Sequence, residues 1–344
     1  MTSINHSLNH LVDVHSHIYP MPYLELLETR QDIPRVAKLG GRRKFVIFPE
    51  EESTRGGGGR EMGAEFWDLE EKIRFMDSLG IDRSIVSLGN PWLDPFPDAR
   101  GDEAAAQVNL IMSGYEEVSG GRVTAVGVLP ASSIEAVIKT LGEIAENSGL
   151  YGIVTGPRIA GRRFDDLELD PVWRELERLS LPLFVHPQNG TELTELTGYD
   201  HTLPVGLGFP FETTIAVTRL VFGGVLARYP ELRILVAHGG GCLPYLGGRL
   251  DAVWRSDPEI AGSLPEPPSA YLQRLYLDAL VYYGPAFQSA YRLVGAKHLL
   301  FGTDHPFSVA NPELNLQTIR HELDNSDDLQ FVTGISAETL FNLT

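Results

Sequence analysis

Two histidines one residue apart, His15 and His17, close a short apolar run near the start of the chain, Val12-Asp-Val-His15-Ser-His17. Side chains at i and i+2 of a strand leave on the same face, so these two imidazoles can reach one ion together. Neutral imidazole is a common ligand for divalent transition metals. Three more apolar runs end in groups of the same chemistry: Phe184-Val-His186, Ala237-His238 before three glycines, and Phe301-Gly-Thr-Asp304. Four of the ten histidines therefore stand at the ends of such runs, which points away from chance. Taken singly, each has an ordinary reading: a histidine after a strand is usually a hydrogen-bonded loop residue, and Asp304 can open a turn or cap a helix. Taken as a set, three imidazoles and a carboxylate make a mixed nitrogen and oxygen environment suited to Zn2+ or Mn2+. His201, His298, His305 and His321 have no convergent partners in the sequence and read as structural.

To bring those positions together, the chain needs elements that end on one face. Short apolar runs alternate with longer amphipathic segments, the pattern of repeated βα units. Strands are expected at 11–17, 82–88, 122–129, 150–155, 181–186, 232–238, 275–280 and 298–303, and helices at 68–79, 102–118, 132–147, 171–179, 212–228, 286–295 and 312–324. Gly80 and Gly295 stand where helix C-cap glycines belong. Asp68 with Glu71 suits a capping pattern, and Asp170-Pro171 suits an N-cap followed by proline. Eight parallel strands over this length predict a (β/α)8 TIM barrel, whose strand ends converge on one face. The rival, a doubly wound open sheet, lacks support because no glycine-rich phosphate loop follows the first strand. Residues 40–66, with Arg55-Gly-Gly-Gly-Gly-Arg60 and little periodicity, read as a long mobile insertion over the barrel mouth. The segment 187–210 reads as a second cap, and 326–344 as a short helical appendix.

The composition sets limits on function. A chain of 344 residues, 43% hydrophobic and 22% charged, can bury a full core, and 1–344 is read as a single barrel domain. No run of about 18 uninterrupted apolar residues exists, so no membrane span is expected. Met1 to His10 is polar and lacks the layout of a signal peptide. The lone Cys242 allows no internal disulfide, and a reducing, cytoplasmic location is expected. A formal net charge of −18 argues against nucleic-acid and anionic-membrane partners. For a small carboxylate substrate, local arginines and a metal must then supply the positive charge.

The assembled pattern resembles a known family. His15-x-His17, His186 after its apolar run, Ala237-His238-Gly-Gly-Gly and Gly302-Thr-Asp304-His-Pro-Phe307 look like the amidohydrolase superfamily. Within it they resemble the non-oxidative decarboxylases typified by aminocarboxymuconate-semialdehyde decarboxylase. Several stretches are closer to the isoorotate (uracil-5-carboxylate) decarboxylases: His15-Ser-His17-Ile-Tyr-Pro20, Phe75 to Trp92, Gly208-Phe-Pro-Phe-Glu-Thr-Thr-Ile-Ala216, and Tyr276-Leu-Asp278 with Thr303 to Phe307. The resemblance implies an amidohydrolase-type barrel with His15, His17, His186 and Asp304 as ligands of one divalent metal. It implies Zn2+ first and Mn2+ second, with no organic cofactor. It places His238 beside the metal as a polarising or proton-handling group. It gives Arg60, Asn90, Phe209, Arg249 and Phe307 to the substrate, Arg249 entering from a neighbouring subunit in some relatives, and implies a homodimer or higher homo-oligomer. The chain departs from the closest relatives at Gly239, where serine is expected, and at Ser308, where a second phenylalanine is expected.

The implied activity is decarboxylation of an aromatic or uracil-type carboxylic acid, with Asp304 protonating the ring carbon before CO2 leaves. Two other functions use the same residues. One is metal-assisted hydrolysis of a lactone or amide, in which Asp304 shuttles the proton of a bound water. The other is a barrel that binds a ligand without turning it over, which four intact ligand positions argue against.

Overall fold

The computed structural model describes residues 10–52, 57–189 and 194–343. Eight strands form one parallel sheet in sequence order: β1 (Val12–Ile18), β2 (Arg83–Leu88), β3 (Val123–Val128), β4 (Leu150–Thr155), β5 (Leu183–Val185), β6 (Ile234–Val236), β7 (Tyr276–Asp278) and β8 (Leu299–Leu300). Each corresponds to one of the eight expected runs. The ends of the sheet then meet. The Val14 amide donates to the Phe301 carbonyl at 3.0 Å, Asp304 N to His15 O at 2.7 Å, and His17 N to His305 O at 2.7 Å. A doubly wound sheet would leave β1 in the interior of an open order, so the sequential order and the β1–β8 contact decide for a (β/α)8 barrel.

The strands are short apolar runs buried on both faces, as parallel strands under a helical ring must be. The helices supply the outer layer. In Ile134–Glu146 the buried Val137, Leu141 and Ile144 recur at helical spacing, and the Ser133 hydroxyl caps Ala136 N at 3.1 Å. Leu69–Leu79 starts on Asp68, whose carboxylate accepts from Glu70 N, and ends on Gly80 at φ +69°. Glu71 does not complete a capping box; it pairs with Arg74. The expected helix 102–118 begins earlier, as Ala99–Ser113 capped by Asp98, with Tyr115–Val118 as a separate turn. The expected helix 212–228 divides into Phe209–Phe222 and Val225–Arg228 at Gly223 and Gly224. Asp170 is not an N-cap. It already lies in Asp170–Leu179, behind a turn capped by Asp166, and its carboxylate pairs with Arg228 at 2.8 Å. Met21–Glu28 and Leu243–Ser256 are helices that the sequence reading lacks. Past β8 the expected appendix contains Ser326–Gln330 and Ser336–Phe341.

The insertion after β1 is a sheet of its own, which corrects the aperiodic reading of 40–66. Arg35–Leu39, Arg42–Val46 and Arg60–Met62 pair antiparallel. Phe45, Val46 and Met62 are buried beneath it. Arg55 and Gly56 of the glycine run lie outside the described residues, as do 190–193 of the second expected cap. Among the described residues one helical stretch, Pro204–Phe222, is long and apolar enough to span a membrane. Its Val217, Leu220 and Val221 are buried against the barrel, so its apolar face is already used.

Candidate active site

At the C-terminal mouth of the barrel, β1 delivers His15 and His17, β5 leads to His186, β6 to His238, and β8 to Asp304. Their imidazoles meet edge to face. The ring centroids of His15 and His17 are 5.1 Å apart, those of His15 and His186 5.0 Å, and those of His17 and His186 5.0 Å. The ligand atoms of His15, His186, His238 and Asp304 all lie within 4.8 Å of one another. Asp304 Oδ1 stands 3.5 Å from His15 Nε2 and 3.3 Å from His17 Nε2, and its Oδ2 is 3.8 Å from His238 Nε2. Both His238 (φ 56°) and Asp304 (φ 62°) occupy left-handed backbone, a strained conformation for residues with a Cβ and one that clusters at functional sites.

The hydrogen bonds behind the rings fix which nitrogen faces the centre. His186 Nδ1 is 2.6 Å from the Pro187 carbonyl, which can only accept, so the proton sits on Nδ1 and Nε2 keeps its lone pair. His15 Nδ1 donates to Asp278 Oδ2 at 2.7 Å. His17 Nδ1 lies 3.0 Å from the Ser87 hydroxyl. The Nε2 atoms of all three are buried and have no hydrogen-bond partner. Three inward lone pairs beside a carboxylate, each ring held from behind, fit a divalent cation of the Zn2+ or Mn2+ type. His238 differs: its Nδ1 has no partner and its side chain is 18% exposed.

Burial and the surrounding charges hold two of the three rings, His186 and His17, toward the neutral form. Burial, with the charges of the neighbouring imidazoles, pushes His186 well below its usual range, and burial brings His17 down to about 4. Burial acts the same way on His15, but the hydrogen bond to Asp278 and the surrounding carboxylates outweigh it and raise that ring. Burial pushes Asp304 up; the imidazoles of His17, His238 and His15 around it outweigh this and hold the carboxyl well below the usual range. Asp278 is likewise held low by His15 against its burial.

Above the cluster opens a cavity of about 590 Å³, with Asn90, His186, Phe209, His238, Asp304 and Phe307 on its wall and Arg60 at the insertion side. The Phe307 ring meets His17 edge-on at 5.3 Å and Phe209 lies 6.5 Å from His186. Arg60 Nε is 2.7 Å from Glu51 Oε1. The Asn90 amide donates to the Gln188 carbonyl at 2.8 Å, tying the loops after β2 and β5 together. Arg249 is not brought in: it is exposed on Leu243–Ser256 and does not line the cavity of its own chain.

Several contributors escaped the sequence reading. Asp278 is a hub, accepting from His15 Nδ1, His238 N (2.9 Å), Gly239 N (2.8 Å) and Leu280 N (3.1 Å). Gly239, at φ +63°, packs where a Cβ would lie 2.4 Å from Val281, so its place beside Asp278 requires glycine. Behind β1, the fully buried Lys72 donates to Ser16 Oγ at 2.5 Å and lies 2.5 Å from His305 Nδ1. Its spacing to Met76 and Leu79 on a core-facing helix was the available signal. His305 is therefore partnered, stacked on Phe75 at 3.7 Å. His201 is a wall residue, 3.8 Å from the buried Glu51.

Comparison with known proteins agrees with this geometry. The family profile described as amidohydrolase matches residues 12–316. A 2-amino-3-carboxymuconate-6-semialdehyde decarboxylase of Dictyostelium discoideum is 30% identical, over 72% of this chain and 69% of its own length. The apo structure of Metarhizium anisopliae IDCase, an isoorotate decarboxylase, is 30% identical and superposes with a TM-score of 0.91, covering 97% of each chain. A dihydroxybenzoic acid decarboxylase of a Polaromonas species, solved with bound manganese and 2-nitroresorcinol, shares the fold at 21% identity, a TM-score of 0.78 and 97% coverage of each chain. The mixed histidine and aspartate cluster at the mouth of an eight-stranded barrel, and these likenesses, lead to one statement: the chain belongs to the amidohydrolase family, in its aminocarboxymuconate-semialdehyde decarboxylase-like branch.

Proposed function

We propose that this protein is a divalent-metal-dependent carboxy-lyase that removes CO2, without oxidation, from an aromatic or uracil-type carboxylic acid. The observation that carries the reading is the set of three buried Nε2 lone pairs facing one carboxylate at the floor of an aromatic-walled cavity. His15, His17, His186 and Asp304 would hold the ion, and His238 stands apart because nothing fixes its tautomer. Bound there, the metal supplies a Lewis acid that orients a substrate carboxylate and the ring oxygen beside it.

The chain's own groups account for the proton. Breaking the ring–carboxylate bond leaves an electron pair on the ring carbon, so that carbon is protonated first and the pair returns to the ring as CO2 departs. Asp304 delivers this proton as general acid. At rest its carboxyl is ionised, so it is loaded from His238, 3.8 Å away at Nε2, and His238 is recharged by water in the cavity it lines. One proton is consumed per turnover and ends on the product ring. Phe209 and Phe307 exclude water and pack on the ring. Arg60, held by Glu51, presents its guanidinium at the cavity wall to an anionic substrate. Asn90 keeps the β2 and β5 loops at the spacing the ring requires.

Arg249 meets a substrate only by crossing from a second copy, which agrees with a homodimer or higher homo-oligomer. The reading takes 1–344 as one catalytic domain with both insertions as mouth walls, acting in the cytoplasm on a small free carboxylate; the single cysteine supports that compartment. Manganese in the Polaromonas neighbour supports Mn2+ beside Zn2+ for the same donor set. Hydrolysis of a lactone or amide uses the same ligands, but the relatives at 30% identity are decarboxylases, which favours carbon–carbon cleavage. The test measures CO2 release from 5-carboxyuracil, dihydroxybenzoates and carboxymuconate semialdehyde beside lactone hydrolysis on one metal-loaded sample. CO2 release is expected; lactone hydrolysis alone would reverse the assignment.

A further inference from the structure

We infer that the acid this site takes carries an apolar substituent, an alkyl chain or a second ring, beyond the ring that bears its carboxylate. The inference rests on the decarboxylase reading and names the substrate class within it. The cavity holds about 590 Å³, in the range of pockets that enclose drug-sized ligands. A lone pyrimidine or hydroxybenzoate ring is no larger than a tyrosine side chain and leaves much of that space to water. The surplus space has a chemical character. Leu280 and Val281 follow β7, Ala286 opens the helix Gly284–Val294, and Val309 follows β8, with Tyr282 and Ser308 the polar members of the same loops. The loops after β7 and β8 are neighbours around the barrel, so these side chains share one side of the cavity.

The cations and amides that grip a polar ring lie elsewhere. Arg60 comes from the insertion after β1 and Asn90 from the loop after β2. Val309 is 47% exposed, apolar surface that an uncharged substituent would cover. A substrate anchored by its carboxylate at the histidines therefore gains affinity by extending toward β7 and β8, at about fourfold per buried methylene.

Unreactive probes separate this from turnover. 2-Nitrophenol presents a nitro group and an adjacent oxygen in place of carboxylate and hydroxyl; its ring-butyl isomers add the apolar arm at each position. Binding of the set to manganese-loaded protein is measured by calorimetry, for wild type, Val309→Trp and Ala286→Trp. The expected result is one butyl isomer bound at least tenfold more tightly than the parent, with that ratio falling to near one in either tryptophan variant. A parent bound as tightly as every butyl isomer, or a ratio that both variants leave unchanged, would overturn the inference. The matching carboxylic acids are assayed on the same wild-type sample. A butyl advantage in binding with no CO2 from any acid would sustain the apolar subsite and overturn the decarboxylase reading instead.

Discussion

In the proposed reaction Asp304 has two tasks that pull its carboxyl in opposite directions. As a ligand it must be ionised, and the histidines around it hold it so; as general acid it must carry a proton when the ring carbon is attacked. On this proposal His238, with an unpartnered Nδ1 and a place on the cavity wall, would resolve the conflict by passing a proton on demand. Asp304→Asn keeps the size of the side chain and removes the acid, so kcat should fall about 10³-fold or more while circular dichroism is unchanged. Near-normal CO2 release in that variant would remove Asp304 from the chemistry. Asp278 does not line the cavity, yet it sets the tautomer of His15 and the position of His238 N. Asp278→Asn should weaken metal binding by about 10- to 100-fold, measured by competition with a chromogenic chelator. The histidines were legible in the sequence because each ends an apolar run. Asp278 was not, because a carboxylate that serves as an acceptor leaves no periodic mark and is known only by the partners the fold brings to it.

At the scale of elements, the site depends on how closely β8 passes β1. Gly302 lies where an added Cβ would come within 2.7 Å of His15 Cβ. Gly302→Ala must therefore separate the two strands or tilt the imidazole, and is expected to cost about 1–3 kcal/mol in chemical denaturation together with a loss of bound metal. Unchanged stability and full metal content would show that the closure is looser than the backbone bonds between these segments suggest. The eight strands were readable because both faces are buried, so each is a short run built around apolar residues between polar, turn-rich segments. Two elements were hidden for identifiable reasons. Leu243–Ser256 carries Gly247 and Gly248 in its interior, residues that disfavour helix by about 1 kcal/mol each, and tertiary packing overrides them. The insertion sheet runs through Arg42, Arg43 and Lys44 and a glycine stretch, so its strands lack the apolar alternation that would announce them.

At the scale of the whole molecule, Arg249 is exposed and away from its own cavity, so the role proposed for it requires assembly. If a second copy supplies this side chain, Arg249→Ala and His17→Ala should each be inactive, while mixed and re-equilibrated dimers regain activity toward about a quarter of wild-type sites. A mixture as inactive as its components would confine Arg249 to its own chain or remove it from the reaction. The position of Arg249 after β6 was visible in the sequence; its distance from its own cavity was not, because a helical residue's outward direction depends on how the helix sits on the barrel. The central claim, that one ion bound by these histidines and Asp304 drives loss of CO2, is tested most directly by titrating metal-stripped protein with Mn2+ or Zn2+ while following CO2 release. The account predicts no release at zero metal and a linear rise that saturates at one ion per chain. Release that persists in the stripped protein, or that never follows the ion bound, would contradict it.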